Sequence, residues 1–369
     1  MSDEATQEIA ASGAATEAAR RISEAQWALI RRVVLVLFAA ALVLQIAVGI
    51  PPADRGVPLS PYLILVWLGA GSAIWSLGRD RREIVYAFFG WGALAFAILA
   101  YSRTRSVVDN WWPARTTVPG HPRTVPTASV DNARWIIAVD RVLGFGRNPT
   151  VALQDHLYVG NKDRAPVWEA FPALVYLSHF FVVYVVAIIQ WVKDRRESLR
   201  WTLTLTALLF LGVILYMLVP TAPPWLAAPL DLIGPVERTG TRGLARFNLD
   251  VVRSLFEKGA ASANEVAAFP SLHTGFTALV SAYFWRTARP WLRAVLVAYP
   301  LSMTFALVYG GEHYIFDCIC GGLLAVFTVW LCRRVERWWV ARRGSAQPLN
   351  RNASSSLVNS SDSSSASPG

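Results

Sequence analysis

Residues 169–192 read EAFPALVYLSHFFVVYVVAIIQWV, and this stretch decides the fold. Glu169, at its first position, is the only Asp, Glu, Lys or Arg that it contains. A run of this length and composition can cross the hydrocarbon core of a bilayer as one helix. Further apolar runs lie at 33–50, 61–78, 84–101, 201–219, 271–288, 292–309 and 315–332. The sequence therefore predicts an all-α membrane protein with about eight transmembrane helices.

The composition agrees with a chain that crosses the membrane several times. Of the 369 residues, 54% are hydrophobic and only 16% are charged, too few to cover the surface of a soluble domain of this size. The formal net charge is +10, but most of the excess lies in short segments between the apolar runs. Membrane topology and anionic lipid head groups account for it there, so nucleic acid is not expected as a partner.

Five clusters of basic residues set the predicted orientation. They lie before the first run, after the second, fourth and sixth runs, and after the eighth run. The clusters are Arg31 and Arg32; Arg79, Arg81 and Arg82; Lys193, Arg195, Arg196 and Arg200; Arg286, Arg289 and Arg293; and Arg333, Arg334 and Arg337. Because basic loops stay in the cytoplasm, all five agree with an eight-helix chain whose two termini are cytoplasmic.

The same pattern divides the chain into predicted regions. They are a polar cytoplasmic N-terminal segment (1–31), three N-terminal transmembrane helices (32–101), an extracytoplasmic loop with interfacial helices (102–168), catalytic transmembrane helices (169–332) with an outer loop (220–269), and a cytoplasmic tail, basic and then Ser-rich and disordered (333–369). The apolar stripes 135–143 and 251–256 predict helices in the two outer loops. These helices lie in the membrane interface or pack as a lid on the bundle.

A first cluster of polar residues opens the sixth apolar run, in residues 267–275, which read AAFPSLHTG. Pro270 suits the first position of a helix, where its missing N–H costs nothing. The amides that follow, of Ser271 and Leu272, then point outward at the positive end of the helix dipole, which suits a phosphate. His273, one turn into the helix, is placed to act as a general acid.

A second cluster opens the eighth run, in residues 310–317, which read GGEHYIFD. His313 and Asp317 are four residues apart, so they share one face of a helix if the helix begins there. A carboxylate on one imidazole nitrogen fixes the tautomer and makes the other nitrogen a better nucleophile or base. Both clusters lie at the same side of the predicted bundle, so the pattern indicates phosphoryl transfer through histidine. No metal-ligand spacing is present, and neither a metal nor another cofactor is expected.

The PSLH and HYxxD motifs resemble the second and third motifs of the type 2 phosphatidic acid phosphatase superfamily. The stretch 216–225, YMLVPTAPPW, is similar to the proline-rich first motif of the branch typified by fungal inositol phosphorylceramide synthase. Asp140 to Pro149, together with Gln154, is similar to another part of that branch. The resemblance covers about residues 140–325. It implies a six-helix core and an active site on the lumenal or extracytoplasmic face.

The resemblance also implies a role for each motif residue. His313 is the nucleophile that becomes phosphorylated, Asp317 is its partner, and His273 protonates the leaving group. One position departs from the phosphatase members, which carry an arginine six residues before the third-motif histidine, because Leu307 stands there. The first motif likewise has prolines in place of a lysine and an arginine. The usual cationic clamp on the phosphate is therefore missing.

The groups that hold the phosphate remain open at this stage. One source is the pair of backbone amides at Ser271 and Leu272. Another is a set of outer-loop cations, of which Arg141 and Arg246 come first: Arg103, Arg105, Arg141, Arg147, Lys162, Arg242 and Arg246. Asn264 is a candidate to cap or line the site, and Glu312 is expected to face solvent. His179, inside the fourth run, either belongs to the site or bonds a neighbouring helix as a neutral side chain.

The function that fits these residues is that of a lipid phosphotransferase. A phosphoryl or phospho-head group, similar to inositol phosphate, passes from a phospholipid to His313 and then to a lipid hydroxyl. With water as the acceptor, the same residues make a lipid-phosphate phosphatase. A lipid transporter or scramblase is less favoured, since transporters usually place charges at the bilayer midplane and these runs contain almost none apart from His179. A non-catalytic scaffold is also less favoured, and His313→Ala would discriminate, because a transporter or scaffold should tolerate it. The protein is expected in the plasma membrane or an endomembrane, and the sequence predicts no oligomeric state.

Overall fold

The computed structural model describes residues 24–48, 61–79, 81–160, 165–240, 242–245 and 264–345. Its α-helices, numbered in chain order, are α1 (Glu24–Val48), α2 (Pro61–Ser76), α3 (Arg81–Trp111), α4 (Thr127–Leu143), α5 (Pro149–Leu157), α6 (Ala170–Lys193), α7 (Arg195–Leu218), α8 (Pro224–Ala227), α9 (Arg242–Ala245), α10 (Leu272–Phe284), α11 (Pro290–Tyr309) and α12 (Ile315–Ser345). Two 3-10 turns, Val167–Glu169 and Ala228–Leu230, precede α6 and follow α8. The protein is therefore mostly helical.

A small hairpin qualifies the all-α prediction. Strand β1 (Arg115–Thr117) pairs antiparallel with β2 (Thr124–Pro126), with Thr116 opposite Val125. Gly120 takes the left-handed conformation in the turn between them, with φ of 73°. Strands of three residues are too short to show an alternating pattern, which is why the sequence did not reveal them.

All eight predicted apolar runs fall on helices. Within the described residues, five helical segments are long and apolar enough to cross a membrane: Arg81–Trp111, Val167–Lys193, Arg195–Leu218, Pro290–Tyr309 and Ile315–Arg342. The other three runs fall on α1, α2 and α10, and the last two of these have only 16 and 13 residues. The structure thus supports a helical membrane protein, while the count of eight and the cytoplasmic termini stay predictions.

The outer surface of the bundle is apolar in the way that lipid requires. Phe88 and Phe96 on α3 are 72% and 63% exposed, and Leu323 on α12 is 64% exposed. In water, such large apolar side chains would favour aggregation. In a bilayer they face the acyl chains, so the exposed faces of these helices agree with an integral membrane protein.

The centre of the bundle lies where α3, α6, α7, α10 and α12 meet. Trp201 is fully buried there, and its indole N–H donates to the carbonyl of Val183 at 2.9 Å. Small residues let the helices approach closely. A Cβ added to Gly212 on α7 would come within 2.7 Å of the Leu272 side chain on α10. Such close approach is how helices associate in lipid, where burial of apolar surface alone gives little advantage.

An outer layer covers one end of the bundle. It consists of the β-hairpin, α4, α8 and the segment around Ile233, which share a second apolar cluster with Tyr314 at the start of α12. Helix α4 packs as a lid, and its buried face holds Ile136 and Asp140. Two residues of the predicted stripe, Trp135 and Val142, are 42% and 77% exposed. The buried face of α4 is therefore rotated relative to the predicted apolar stripe. The second predicted stripe, 251–256, lies outside the described residues.

Two predicted boundaries move outward. Helix α3 continues to Trp111, well past the predicted end at residue 101. Helix α12 continues to Ser345, so the basic stretch after residue 332 is helical. Both extensions carry polar or basic side chains, so a prediction from hydropathy ends the transmembrane run before them. A helix can continue through such residues outside the membrane. Residues 346–369 lie outside the described part of the chain.

Candidate active site

The PSLH turn is fixed directly against the start of α12. Ser271 is the N-cap of α10, and its side-chain oxygen accepts the amide of Thr274 at 3.3 Å. The amide of Ser271 itself donates to the carbonyl of Asp317 at 3.0 Å. A Cβ added to Gly321 would collide with the Ser271 carbonyl, so only glycine permits this approach. These contacts bring the second and third motifs together.

The helix start corrects the predicted anion site. Helix α10 begins at Leu272, so Pro270 lies before the N-cap and is not the first helical residue. The amide of Ser271 donates to the carbonyl of Asp317 on α12. One of the two amides expected to hold phosphate is therefore used to join two helices.

The two motif histidines lie side by side. Nδ1 of His273 is 3.0 Å from Nε2 of His313. On the other side of the His313 ring, Nδ1 is 2.8 Å from the carbonyl oxygen of Ala268. A carbonyl can only accept, so His313 Nδ1 carries the proton and Nε2 has the lone pair. The proton between the two rings then belongs to His273 Nδ1.

Asp317 is a more distant partner of His313 than predicted. Its Oδ2 lies 3.6 Å from His313 Nδ1, while the carbonyl of Ala268 is the nearer acceptor. The same Oδ2 accepts the amide of Tyr314 at 3.0 Å. Because Tyr314 directly precedes α12 and Asp317 is the third residue of the helix, this bond is the side-chain half of a capping box. Asp317 thus fixes the start of α12 and places a negative charge beneath His313.

A second buried carboxylate, Asp140, reaches the same helix end from α4. Its Oδ1 accepts the amide of Phe316 at 3.0 Å, and the residue is fully buried. Burial raises the pKa of Asp140 to about 7, the charge of Asp317 adds to this rise, and the amides of Phe316 and Ile315 oppose it. In the sequence, Asp140 stood out only as part of the stretch 140–149 that resembles the family. No spacing along the chain linked it to α12.

His179 lies against His273. The two rings meet edge to face with centroids 4.3 Å apart, and Nδ1 of His179 is hydrogen-bonded to the carbonyl of Tyr176 in its own helix. The Tyr176 ring also contacts His273, at 5.2 Å between centroids. His179 is therefore beside one motif histidine, and its own hydrogen bond is to its own helix rather than to a neighbouring one.

Four of the seven predicted outer cations have partners. Arg141 donates to the carbonyl of Leu232 at 3.3 Å. Three more pair with carboxylates: Arg105 with Glu265 at 3.6 Å, Arg147 with Asp155 at 2.9 Å, and Arg242 with Glu169 at 3.4 Å. Arg103 on α3 is exposed, and Arg246 and Lys162 lie outside the described residues. Charge alone does not indicate where a side chain points, so the preference for Arg141 and Arg246 stays a prediction.

Asn264 acts locally on the approach to the PSLH turn. Its Oδ1 accepts the amide of Val266 at 3.3 Å, and its carbonyl accepts the amide of Ala267 at 3.2 Å. The side-chain nitrogen is buried and has no hydrogen-bond partner within the described ranges. The predicted capping role fits the first two contacts.

One cation near the histidines was not among the predicted candidates. Arg238 forms a two-bond ion pair with Glu312, with Nε to Oε1 at 2.6 Å and Nη2 to Oε2 at 3.1 Å. The guanidinium also stacks on Trp225, 4.6 Å from the ring centroid. Glu312 is only 8% exposed, so the expectation that it faces solvent was wrong. In the sequence, the carboxylate of Glu312 next to His313 is the signal that a positively charged partner lies nearby.

Leu307 has no access to the site. Its side chain is fully buried in a cluster with Met303 and Val308. Its carbonyl accepts the amides of Glu312 at 3.0 Å and His313 at 3.4 Å. The position that carries arginine in the phosphatase members therefore supplies only a backbone bond here.

The proline-rich stretch after α7 supports the site through its backbone. Thr221 pairs with residues 266–268, donating to Val266 at 2.7 Å and accepting from Ala268 at 3.3 Å. The amide of Trp225 donates to the carbonyl of Gly311 at 3.1 Å. Residues 266–268 are thus held in place, and with them the carbonyl that binds His313.

In the described ranges, no group of three or more His, Cys, Asp or Glu side chains has an arrangement that could hold a metal ion. The candidate site brings together the histidines and carboxylates described above. It is a histidine-based site at one end of an apolar helix bundle.

The chain belongs to the PAP2 superfamily. The profile of that family matches residues 134–331, which is more than half of the chain and contains all three motifs. The predicted resemblance is thereby confirmed. No solved structure matches the chain.

Three characterised relatives share part of this region. The inositol phosphorylceramide synthase catalytic subunit aur1 of Schizosaccharomyces pombe is 28% identical over 154 residues, which are 41% of this chain and 36% of that protein. The corresponding subunit AUR1 of Saccharomyces cerevisiae is 28% identical over 158 residues, 40% of this chain and 38% of the relative. The phosphoinositol dihydroceramide synthase of Bacteroides thetaiotaomicron is 29% identical over 133 residues, 35% of this chain and 43% of the relative. The chain therefore matches less than half the length of each relative.

Proposed function

We propose that the protein is a membrane lipid phosphotransferase that moves a phospho-head group, similar to inositol phosphate, from a phospholipid to a lipid hydroxyl. The observation that carries this proposal is the contact of His273 Nδ1 with His313 Nε2. One nitrogen has a lone pair and the other has a proton, and the two point at each other. A nucleophile and an acid are what the exchange of one phosphate ester for another needs. The names of the three relatives, all synthases of inositol-containing sphingolipids, support the same reaction.

In the first half-reaction, the lone pair on His313 Nε2 attacks the phosphorus of the donor lipid. The bond between phosphorus and the lipid alcohol oxygen breaks, and that oxygen takes the Nδ1 proton of His273, which reacts as the imidazolium and becomes neutral with its remaining proton on Nε2. The products are the free lipid alcohol and a head-group phosphate bound to His313. The His313 ring keeps its Nδ1 proton, which stays hydrogen-bonded to the Ala268 carbonyl. The charge of Asp317 stabilises the positive ring.

The second half-reaction reverses these steps with a new alcohol. His273 Nδ1, now without its proton, takes the proton of the acceptor hydroxyl. The hydroxyl oxygen attacks phosphorus, the N–P bond breaks, and His313 returns to its starting form. By analogy with the relatives, a ceramide-type hydroxyl is the proposed acceptor.

The reaction requires the two rings to separate. At 3.0 Å, the nitrogens are in direct contact and leave no room for a phosphorus atom between them. His313 is held by the Ala268 carbonyl and sits over Asp317, whereas His273 contacts mainly other rings. His273 is therefore the ring that moves aside when the donor lipid enters.

A lipid-phosphate phosphatase is the second candidate, since water could replace the acceptor lipid. The buried Leu307 favours the transferase. A phosphomonoester has up to two negative charges, whereas a head-group phosphodiester has one and needs less cationic compensation. A phosphatase would therefore be expected to keep the arginine that this chain lacks.

The proposed site faces away from the cytoplasm. The histidines lie at the start of α12, whereas Arg333, Arg334 and Arg337 lie towards its other end. Basic helix ends remain in the cytoplasm, which puts the histidines on the extracytoplasmic or lumenal side. A membrane-impermeant thiol reagent should react with a cysteine introduced at exposed Phe145 in sealed, right-side-out vesicles, after the native cysteines have been replaced.

The reaction is tested with purified protein, a head-group-labelled phosphoinositide donor and a ceramide acceptor. The proposal expects label in the acceptor lipid, with transfer faster than release of water-soluble head-group phosphate. Replacement of His313 by Ala should abolish both activities, whereas a transporter or scaffold would keep its activity. If the wild-type protein releases free phosphate from phosphatidic acid as fast as it transfers head groups, the phosphatase is the correct assignment.

A further inference from the structure

The mechanism above lacks a cation for the substrate phosphate, and one guanidinium beside the histidines has no part in it. We propose that Arg238, held by Glu312, binds the nonbridging oxygens of the phosphate during transfer. The phosphatase members carry an arginine at the position of Leu307 on α11. Arg238 would do the work of that arginine here, from the outer loop. This inference rests on the proposed transfer reaction.

The loop on both sides of Arg238 is fixed to the end of α11. The Gln154 side chain bonds the amide and the carbonyl of Glu237, each at 2.8 Å, and also the last carbonyl of α11 at 2.7 Å. On the other side, the amide of Thr239 donates to the carbonyl of Gly310 at 3.2 Å. Arg238 therefore starts from a backbone position that is set relative to the turn before His313.

Glu312 orients the guanidinium at that position. The two-bond pairing fixes the plane of the Arg238 fork, and Glu312 directly precedes His313 in the chain. The backbone of Glu312 is itself held, because its amide donates to the carbonyl of Leu307 at 3.0 Å. A planar, prearranged fork is the geometry that arginine uses on phosphate oxygens.

The ion pair lies close to the second histidine as well. A Cβ on Gly240 would be 3.2 Å from the Tyr176 ring and 3.5 Å from a carboxylate oxygen of Glu312, so these two side chains are neighbours. The Tyr176 ring in turn contacts the His273 ring. The carboxylate that holds Arg238 thus lies beside the ring that packs on His273, and it directly precedes His313 in the chain.

Arg238 also retains a donor for a ligand. Its bonds to Glu312 use Nε and Nη2, and no hydrogen bond within the described residues uses Nη1. The side chain is 42% exposed, compared with 9% for Glu312. By contrast, the guanidinium of Arg242 is 10% exposed and pairs with the buried Glu169. Arg238 is therefore the better placed cation to donate to an incoming phosphate without leaving its partner.

The test compares initial rates of head-group transfer in purified variants. Replacing Arg238 with Gln should lower kcat/KM by about 100-fold, as expected for loss of a donor to a developing oxyanion. The matched control is Arg123→Gln, another outer-loop arginine with a carboxylate partner, Glu265. This control should change the rate by less than about 3-fold, because an exposed ion pair contributes little.

A double variant separates phosphate binding from mere neutralisation of Glu312. If Arg238 only neutralises that carboxylate, Arg238→Gln combined with Glu312→Gln should recover the wild-type rate. If Arg238 binds phosphate, the double variant should stay as slow as Arg238→Gln. Recovery of the rate would overturn the proposal.

A phosphorothioate donor gives a readout that does not depend on the absolute rate. Sulfur at one nonbridging position weakens a bond to a fixed guanidinium more than sulfur at the other, so the wild-type protein should prefer one diastereomer. Arg238→Lys, which keeps the charge but loses the fork, should reduce that preference even if Arg238→Gln does not fold. Unchanged preference and unchanged rate would refute the role of Arg238. If the wild-type protein transfers no head group at all, the proposed function fails instead.

Discussion

The helix bundle and the outer layer both contribute side chains to the proposed site, and they contribute different kinds of group. The bundle side presents packed rings: His273 lies against His179 and Tyr176. The outer side presents charges: Asp140 reaches the start of α12, and Arg238 pairs with Glu312. His273 thus comes from a helix of the bundle, whereas Asp140 comes from α4 of the outer layer and Arg238 comes from an outer loop.

This difference indicates which part of the protein sets which property. Nitrogen positions depend on helix contacts such as that between Ser271 and Gly321, where a single methyl group does not fit. The charge at the site depends on outer-layer side chains, which can be replaced without changing the packing of the bundle. Reactivity should therefore be lost through changes in the bundle, and selectivity or pH dependence should change through the outer layer.

The largest effect is expected for His273→Ala on the bundle side. Loss of the acid should reduce kcat by about a thousand-fold with a natural donor, whose alcohol is a poor leaving group. A donor with a nitrophenol leaving group needs no protonation and should restore the first half-reaction. His313→Ala, as the control, should not respond to that donor. Equal failure of both variants with the activated donor would contradict the assigned acid role.

Gly321→Ala should give the next largest effect, also on the bundle side. The added methyl group would collide with the carbonyl of Ser271, forcing α10 away from α12 and parting the histidines. Overpacking of this kind costs about 1–3 kcal/mol of stability, and transfer activity should fall with it. Gly322→Ala is the matched control, since its Cβ would meet only Ala278 at 4.0 Å. Thermal unfolding and transfer rate measure both variants.

Asp140→Asn tests the outer layer through pH. The pKa of Asp140 is raised to about 7, so the folded protein holds this proton more tightly than the unfolded chain does. Its contribution to stability is complete at pH values below the unfolded pKa and is lost as the pH rises through about 7. The asparagine variant should lack this decline between pH 4 and about 7, because its amide does not titrate there. Asp131→Asn, on the exposed side of α4, should keep the wild-type profile in denaturation measured against pH.

Tyr314→Phe should have the smallest effect. Its hydroxyl donates to the carbonyl of Ala222 at 3.2 Å, which joins α12 to the proline-rich stretch. Loss of one such bond costs about 1 kcal/mol, and the unpaired carbonyl accounts for part of that cost. The melting temperature should fall slightly while the transfer rate stays within a few-fold. A loss of activity as large as that of Gly321→Ala would place Tyr314 in the reaction itself.

The parts that the sequence predicted follow from local rules. Apolar runs predicted the helices. The i,i+4 spacing of His313 and Asp317 placed them close together, at 3.6 Å, but not on one helical face, because α12 begins at Ile315. The family resemblance supplied the roles of the motif histidines, and the superfamily match confirmed the family.

The parts that the sequence missed depend on contacts between distant segments. Asp140 caps a helix that begins more than 170 residues later, and Arg238 pairs with Glu312 across 74 positions. The amide of Ser271, which was expected to bind phosphate, donates instead to the carbonyl of Asp317 on α12. No periodicity or spacing along the chain indicates such pairings.

The account depends most on the covalent step at His313. Purified protein is mixed with a donor labelled in its head-group phosphate, quenched in base and digested, and the labelled peptide is mapped. The account predicts acid-labile label on the peptide that contains His313, none in His313→Ala, and release of the label when acceptor lipid is added before the quench. Label on His273, or rapid transfer by the wild-type protein without any labelled peptide, would contradict it.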